Sequence, residues 1–204
     1  MSGPAGPQVV LATRNTHKLR ELRRILDAAD VGVQLISIAD FPDLRDVVES
    51  GRTFVENALL KAAATAAATG LAAVADDSGI SVDALNGMPG VLSARWSGRH
   101  GDDTANLALL LAQLDPVPDG RRGAAFVCAA VLVTPDGREV VEERRITGHL
   151  VREPRGQGGF GYDPIFVPDG DTRTTAEMSP AEKDAISHRG RAFRALAPHL
   201  RSLT

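Results

Sequence analysis

Apolar positions open the patterned part of the chain with "QVVLAT" (8–13), a short run rich in β-branched residues, and then recur at Leu19, Leu22, Leu26 and Ala29. The change of period predicts a strand followed by an amphipathic helix. "VGVQLISI" (31–38) reads as a second strand. Thr53-Phe54-Val55-Glu56 has the spacing of a capping box, so an alanine-rich helix is predicted behind it, ending near Gly70. "LAAVADDSG" (71–79) reads as a buried strand whose carboxyl end breaks into a polar turn. Leu107, Leu110, Leu111 and Leu114 share one face of a further helix, opened by the acidic start Asp102-Asp103-Thr104. In "AAFVCAAVLVTPDGREVVEERR" (124–145), two strand-like runs flank Pro135-Asp136-Gly137, a hairpin signal. Ser179-Pro180-Ala181-Glu182 unites an N-cap, a proline at the first helical position and a capping-box glutamate. It predicts a C-terminal helical segment, interrupted near Gly190.

This order of elements predicts an α/β fold with a mixed sheet, forming a single domain over 1–204, with no repeat or linker to divide it. At 204 residues and 43% hydrophobic content the chain can build a real core. A net charge of −3 provides no basic field for long nucleic acid, so an anionic ligand must be met by local charges. One cysteine, Cys128, excludes an internal disulfide framework and a multi-cysteine zinc site, and points to a reducing cytoplasm. "MSGPAGP" at the start has no apolar leader core, and the run "AAFVCAAVLV" is far short of the roughly 18 residues of a membrane helix. The expectation is a soluble protein with no membrane partner. Arginine outnumbers lysine 20 to 3, which draws attention to Lys18, Lys61 and Lys183.

Four stretches carry candidate chemistry. "TRNTHK", Thr13 to Lys18, lies where the first strand turns into the first helix, and a helix N-terminus with Thr13, Asn15 and Lys18 suits a phosphate, although an ordinary capped helix start would look the same. It is not a P-loop, since no lysine follows a glycine. Asp76-Asp77-Ser78-Gly79 falls at the carboxyl end of a strand, where α/β sheets bind ligands. Neighbouring strand residues face opposite ways, so one carboxylate, taken as Asp77, enters the site and the other serves the structure around it. In "GGFGYDP" (158–164), Phe160 and Tyr162 share a side if the segment is extended, giving an aromatic surface for a flat base between flexible glycines. Lys183 falls in the first turn of a helix, where the dipole favours acids, so an anionic ligand accounts for it better than the helix does. His188-Arg189 follows.

Phosphate binders, a metal-binding carboxylate and an aromatic platform together describe a nucleotide site. Five motifs in this order resemble the Ham1/RdgB family of inosine and xanthosine triphosphate pyrophosphatases: "LATRNTHKLREL", "ESGRTFVENALLKA", "ADDSGISVDALNGMPGVLSARWSG", "GGFGYDPIF" and "EKDAISHRGRA". The resemblance implies a homodimer of an elongated α/β fold, its two lobes flanking a cleft, that uses Mg²⁺ to split a purine nucleoside triphosphate (ITP, dITP or XTP) between the α and β phosphates. It further implies that Thr13, Arg14, Asn15, Thr16, His17, Lys18 and Lys183 bind phosphates. Asp77 would ligate the metal and accept the proton, and Ser78 would contact substrate. Phe160, Gly161, Tyr162, Asp163, His188 and Arg189 would form the base pocket. Glu49 in "VVESG" is the candidate second metal carboxylate, with Asp43 and Glu56 as alternatives. Arg14 stands where many members have glycine. Two other readings remain: a Maf-like pyrophosphatase acting on other modified nucleotides, and a non-catalytic nucleotide sensor that has no need of Asp77.

Overall fold

A computed structural model describes residues 6–203; the opening residues 1–5, part of the stretch without an apolar leader core, lie outside it. Six strands form one mixed sheet: β1 (Gln8–Leu11), β2 (Gln34–Ser37), β3 (Ala72–Val82), β4 (Gly123–Val133), β5 (Glu139–Leu150) and β6 (Phe166–Pro168), in the order β2-β1-β3-β4-β5-β6. Five helices accompany them: α1 (Thr16–Ala28), α2 (Phe54–Thr69), α3 (Asp103–Leu114), α4 (Pro180–Ile186) and α5 (His188–Arg201). Among the described residues no helix is long and apolar enough to cross a membrane. The described residues divide into two compact units, the first made of 6–77, 128–144 and 189–203, the second of 78–127 and 145–188.

In the first unit β1 pairs in parallel with both β2 (Val9 opposite Leu35) and β3 (Leu11 opposite Val74). Parallel neighbours need crossovers, and α1 and α2 supply them. The predicted apolar face of α1 is the buried one: Leu22, Ile25 and Leu26 pack with Val9, Leu11, Val74, Phe193 and Leu196. Thr53 caps α2 by accepting from the Glu56 N–H, as its spacing predicts, while the Glu56 carboxylate reaches one residue further back, to the Arg52 N–H. Gly70 closes the helix in the left-handed conformation.

The second unit has its own core around Ile80, Leu110, Leu114, Phe126, Ile165 and Phe166. Asp102 caps α3 through the Ala105 N–H, and β5 pairs antiparallel with β6 (His149 opposite Val167). Both halves of the capping box at Ser179 and Glu182 are formed.

Two expectations need correction. β3 does not break into a turn at Asp76; it runs on to Val82, because the charges that would end a buried strand are met by partners distant in sequence. The C-terminal helical segment is interrupted at Ser187, where the backbone is extended, and Gly190 lies inside α5.

Candidate active site

All three lysines of the chain hold a carboxylate, and each of those carboxylates lies in a stretch that the sequence singled out. Lys18 Nζ is 3.0 Å from Asp76 Oδ2, Lys61 Nζ is 2.7 Å from Glu49 Oε1 and 3.8 Å from Asp77 Oδ1, and Lys183 Nζ is 2.7 Å from Asp163 Oδ2.

In the first unit, Asn15 sits at the N-cap of α1, its side chain accepting from the N–H groups of His17 and Lys18, and Thr13 Oγ1 accepts from the Asn15 N–H. The turn is thereby fixed by its own side chains, with Thr16 as the first helical residue. Arg14 binds Asp46 (2.7 Å) and the Leu44 carbonyl (2.6 Å). Arg14 therefore ties the turn to the irregular segment that also carries Glu49.

The two adjacent aspartates have different surroundings, as strand alternation requires. Asp76 is buried beside Lys18, Arg189 and the Cys128 thiol. Burial works against its charge, but Lys18 and Arg189 outweigh burial and hold the carboxyl well below the usual range. Asp77 accepts at Oδ2 from Asn57 Nδ2 (3.0 Å) and lies near Lys61. Burial pushes its carboxyl above the ordinary range, the Glu49 charge adds to that, and Lys61 and Lys18 oppose it. On Lys61, burial disfavours the cation, yet Asp77, Asp76 and Glu49 raise its pKa overall. Asn57 and Lys61, on one side of α2 four residues apart, are the members of this cluster to which the sequence assigned no role.

Glu49 and Asp77 converge on one ammonium, which makes them a pair of hard oxygen donors of the kind that suits Mg²⁺. Among the described residues no group of three or more His, Cys, Asp or Glu side chains could hold a metal. Two carboxylates with water and substrate phosphate would complete such a site, and this is the usual way that Mg²⁺ is held. Of the alternatives to Glu49, the Glu56 carboxylate is engaged at the Arg52 N–H.

Arg189 is buried, and its guanidinium bridges Glu21 and Asp76. The structure therefore places it as the partner of Asp76, whereas the sequence put it beside a base. The same surroundings act on Cys128: burial and the Asp76 charge push the thiol up, far from its reactive range. We expect no reaction of the native protein with a thiol-specific disulfide reagent, and one equivalent once guanidinium unfolds it. Full labelling of the folded chain would contradict this placement.

In the second unit the loop before β6 is not extended. Gly159 (φ 73°) and Gly161 (φ 60°) turn the chain on either side of Phe160, so the same-face argument for Phe160 and Tyr162 fails. Phe160 is half-buried. Tyr162 is buried in the core and donates its hydroxyl to the Ser93 carbonyl (2.8 Å). The Gly161 N–H donates to Asp103 Oδ2 (2.8 Å). His188 stacks flat on Phe126, with centroids 4.9 Å apart and planes at 11°, a support that no sequence signal marked. Ser78, half-buried in β3, opens this unit.

A model of the Ham1 family matches residues 9–199. The chain is 62% identical over 197 residues to the dITP/XTP pyrophosphatase of Mycobacteroides abscessus, covering 96% of both chains. It is similar to the solved structure of the Mycobacterium abscessus nucleoside-triphosphatase / dITP/XTP pyrophosphatase (62% identity, TM-score 0.77, 94% of this chain and 99% of that one). It is also similar to a HAM1 protein from Coxiella burnetii (40% identity, TM-score 0.87, 96% and 99%).

Proposed function

Because this chain belongs to the Ham1 family, we propose that it hydrolyses non-standard purine nucleoside triphosphates, ITP, dITP and XTP, to the monophosphate and pyrophosphate. The observation that carries the reading is the Asp77 cluster, in which Asn57 and Lys61 orient a buried carboxylate whose affinity for a proton is raised. A raised affinity for a proton suits a carboxylate that acts as a proton acceptor.

Lys18, Asn15 and Thr13, at the N-terminus of α1, bind the triphosphate, and Lys183 adds a second cation. Lys61 keeps Glu49 and Asp77 together despite their like charge. Asp77 orients the attacking water and takes its proton as the bond between the α and β phosphates breaks. Glu49 and Asp77 would hold Mg²⁺, which would supply charge neutralisation and a more acidic water. Phe160 covers the base and His188, braced by Phe126, presents a donor to it. A donor facing the keto oxygen at C6 favours inosine and xanthosine, because adenine would leave that donor unpaired at a cost of about 1–3 kcal/mol. On the same reading the protein acts as a homodimer on the free nucleotide pool of the cytoplasm.

The experiment is pyrophosphate release from ITP, XTP, GTP and ATP in Mg²⁺ and in EDTA. We expect fast release from ITP and XTP, slow release from GTP and ATP, and loss of release in EDTA. Orthophosphate as the product, preference for a pyrimidine, or tight nucleotide binding without turnover would refute the reading.

A further inference from the structure

Asp163 closes the glycine-rich loop, and the family resemblance counts it among base-pocket residues. Its surroundings argue for a different job. The residue is only 2% exposed. Oδ2 accepts from the Phe160 N–H at 2.8 Å and from Lys183 Nζ at 2.7 Å, while Oδ1 accepts from Thr175 Oγ1 at 2.7 Å. A carboxylate has two oxygens and about four acceptor directions, so three donors leave little capacity in a group that solvent scarcely reaches.

The backbone is shaped around this carboxylate. A Cβ on Gly159 would lie 2.1 Å from Asp163 Oδ2, and the same glycine has φ 73°, so both space and conformation demand glycine there. The first glycine pair of "GGFGYD" thus includes a residue that lets the loop close onto Asp163. On the other side, Lys183 Nζ lies 5.0 Å from the centroid of the Phe160 ring. One oxygen atom therefore fixes both the backbone that carries the ring and the ammonium above it.

We propose that Asp163 is a positioning residue that does not touch substrate, and that it holds the base-covering ring of Phe160 and the phosphate-binding cation of Lys183 at one fixed spacing. The proposal rests on the function given above and deepens it. Base and phosphates are a fixed distance apart in a nucleotide, so a locked ring and cation recognise the nucleotide as a whole, whereas a free cation recognises any polyphosphate.

Asparagine and alanine at this position separate geometry from charge. In Asp163→Asn the amide oxygen takes the place of Oδ2, and the amide nitrogen donates to Thr175 Oγ1. That hydroxyl can turn to the Asp163 carbonyl, already 3.2 Å away. In Asp163→Ala both the loop and Lys183 are released. The measurement is kcat and KM for ITP, together with the inhibition constant of inorganic tripolyphosphate, which has no base. We expect Asp163→Asn to stay within about tenfold of the parent in kcat/KM, and Asp163→Ala to lose about a hundredfold, largely in KM, in line with two charge-assisted hydrogen bonds. Tripolyphosphate should inhibit Asp163→Ala at least as well as the parent, because Lys183 has lost its counter-charge. A general loosening of the fold would weaken tripolyphosphate and ITP in parallel, and that result overturns the proposal. So does an Asp163→Asn enzyme as impaired as Asp163→Ala, or an Asp163→Ala enzyme with parental ITP kinetics. Should Asp163→Ala fail to fold, Asp163→Asn alone decides at the same tenfold threshold. If the parent releases no pyrophosphate from any nucleotide, the functional reading fails separately, and calorimetric binding of ITP against tripolyphosphate makes the same comparison.

Discussion

Asp77→Asn is expected to lower pyrophosphate release from ITP by about a thousandfold or more, within the range that a general base contributes, while leaving the fold intact. The substitution is nearly isosteric. Its amide oxygen can still accept from Asn57 Nδ2, now 3.0 Å from the carboxylate, and Lys61 keeps Glu49 as a partner. The native carboxylate carries a burial cost, seen in its raised pKa, so removing its charge should not lower the melting temperature. The sign follows from linkage: an acid whose folded pKa is raised is less stable in its ionised form, so at neutral pH the neutral amide is at no disadvantage. Activity and melting temperature measured on one preparation check both halves. A variant that keeps a tenth of the parental rate would remove Asp77 from the chemistry, and one that melts far below the parent would overturn the stability half.

Arg122→Ala should have the opposite profile, with a large loss of stability from a residue that has no assigned part in the reaction. Its side chain is 1% exposed and donates to three backbone carbonyls: Nε to Leu150 (2.9 Å), Nη1 to Leu114 (2.7 Å) and Nη2 to Val151 (3.1 Å). These groups end α3 and β5, and the backbone of Arg122 itself receives the Leu150 N–H. Truncation takes a donor from each of three carbonyls, of which the Leu114 carbonyl keeps the Val117 N–H, and leaves a cavity in place of a large buried side chain, a combination that costs about 3–5 kcal/mol. For a chain of this length that corresponds to a drop of roughly 6–20 °C. Arg122→Lys should recover little, since one ammonium cannot reproduce a planar fork aimed at three separate carbonyls. Urea unfolding followed by circular dichroism gives the number, and a loss below about 1 kcal/mol would show that the fork is replaceable.

These two residues also mark where sequence reasoning succeeds and where it stops. Thr53 and Ser179 announce their helices because a cap is a contract between residues three apart, and both caps form, while the acidic start at Asp102 turns out to include a cap as well. The division between Asp76 and Asp77 was legible because neighbouring strand residues face opposite ways, and the two carboxylates do have different partners. What could not be read is the continuation of β3 through Asp76: the cations that make it possible come from Lys18 and from Arg189, 113 residues further on. Arg122 gives no signal at all within "GRRGAAF", since its three partners are backbone carbonyls that any sequence offers. The aromatic pair misled for a local reason. The same-side rule holds only for extended chain, and two glycines of positive φ bend this loop on either side of Phe160. Each of the three scarce lysines is committed to a carboxylate.

The burial of Cys128 has a practical side. A protein with one sulfhydryl, and that one sealed in its interior, is already prepared for attaching a probe at a chosen place without first removing native cysteines. Val48 is 80% exposed and adjoins Glu49, so a cysteine introduced there would be the only group open to a maleimide dye. Fluorescence from that dye would report directly on the segment that carries Glu49 as nucleotide and Mg²⁺ are added in turn.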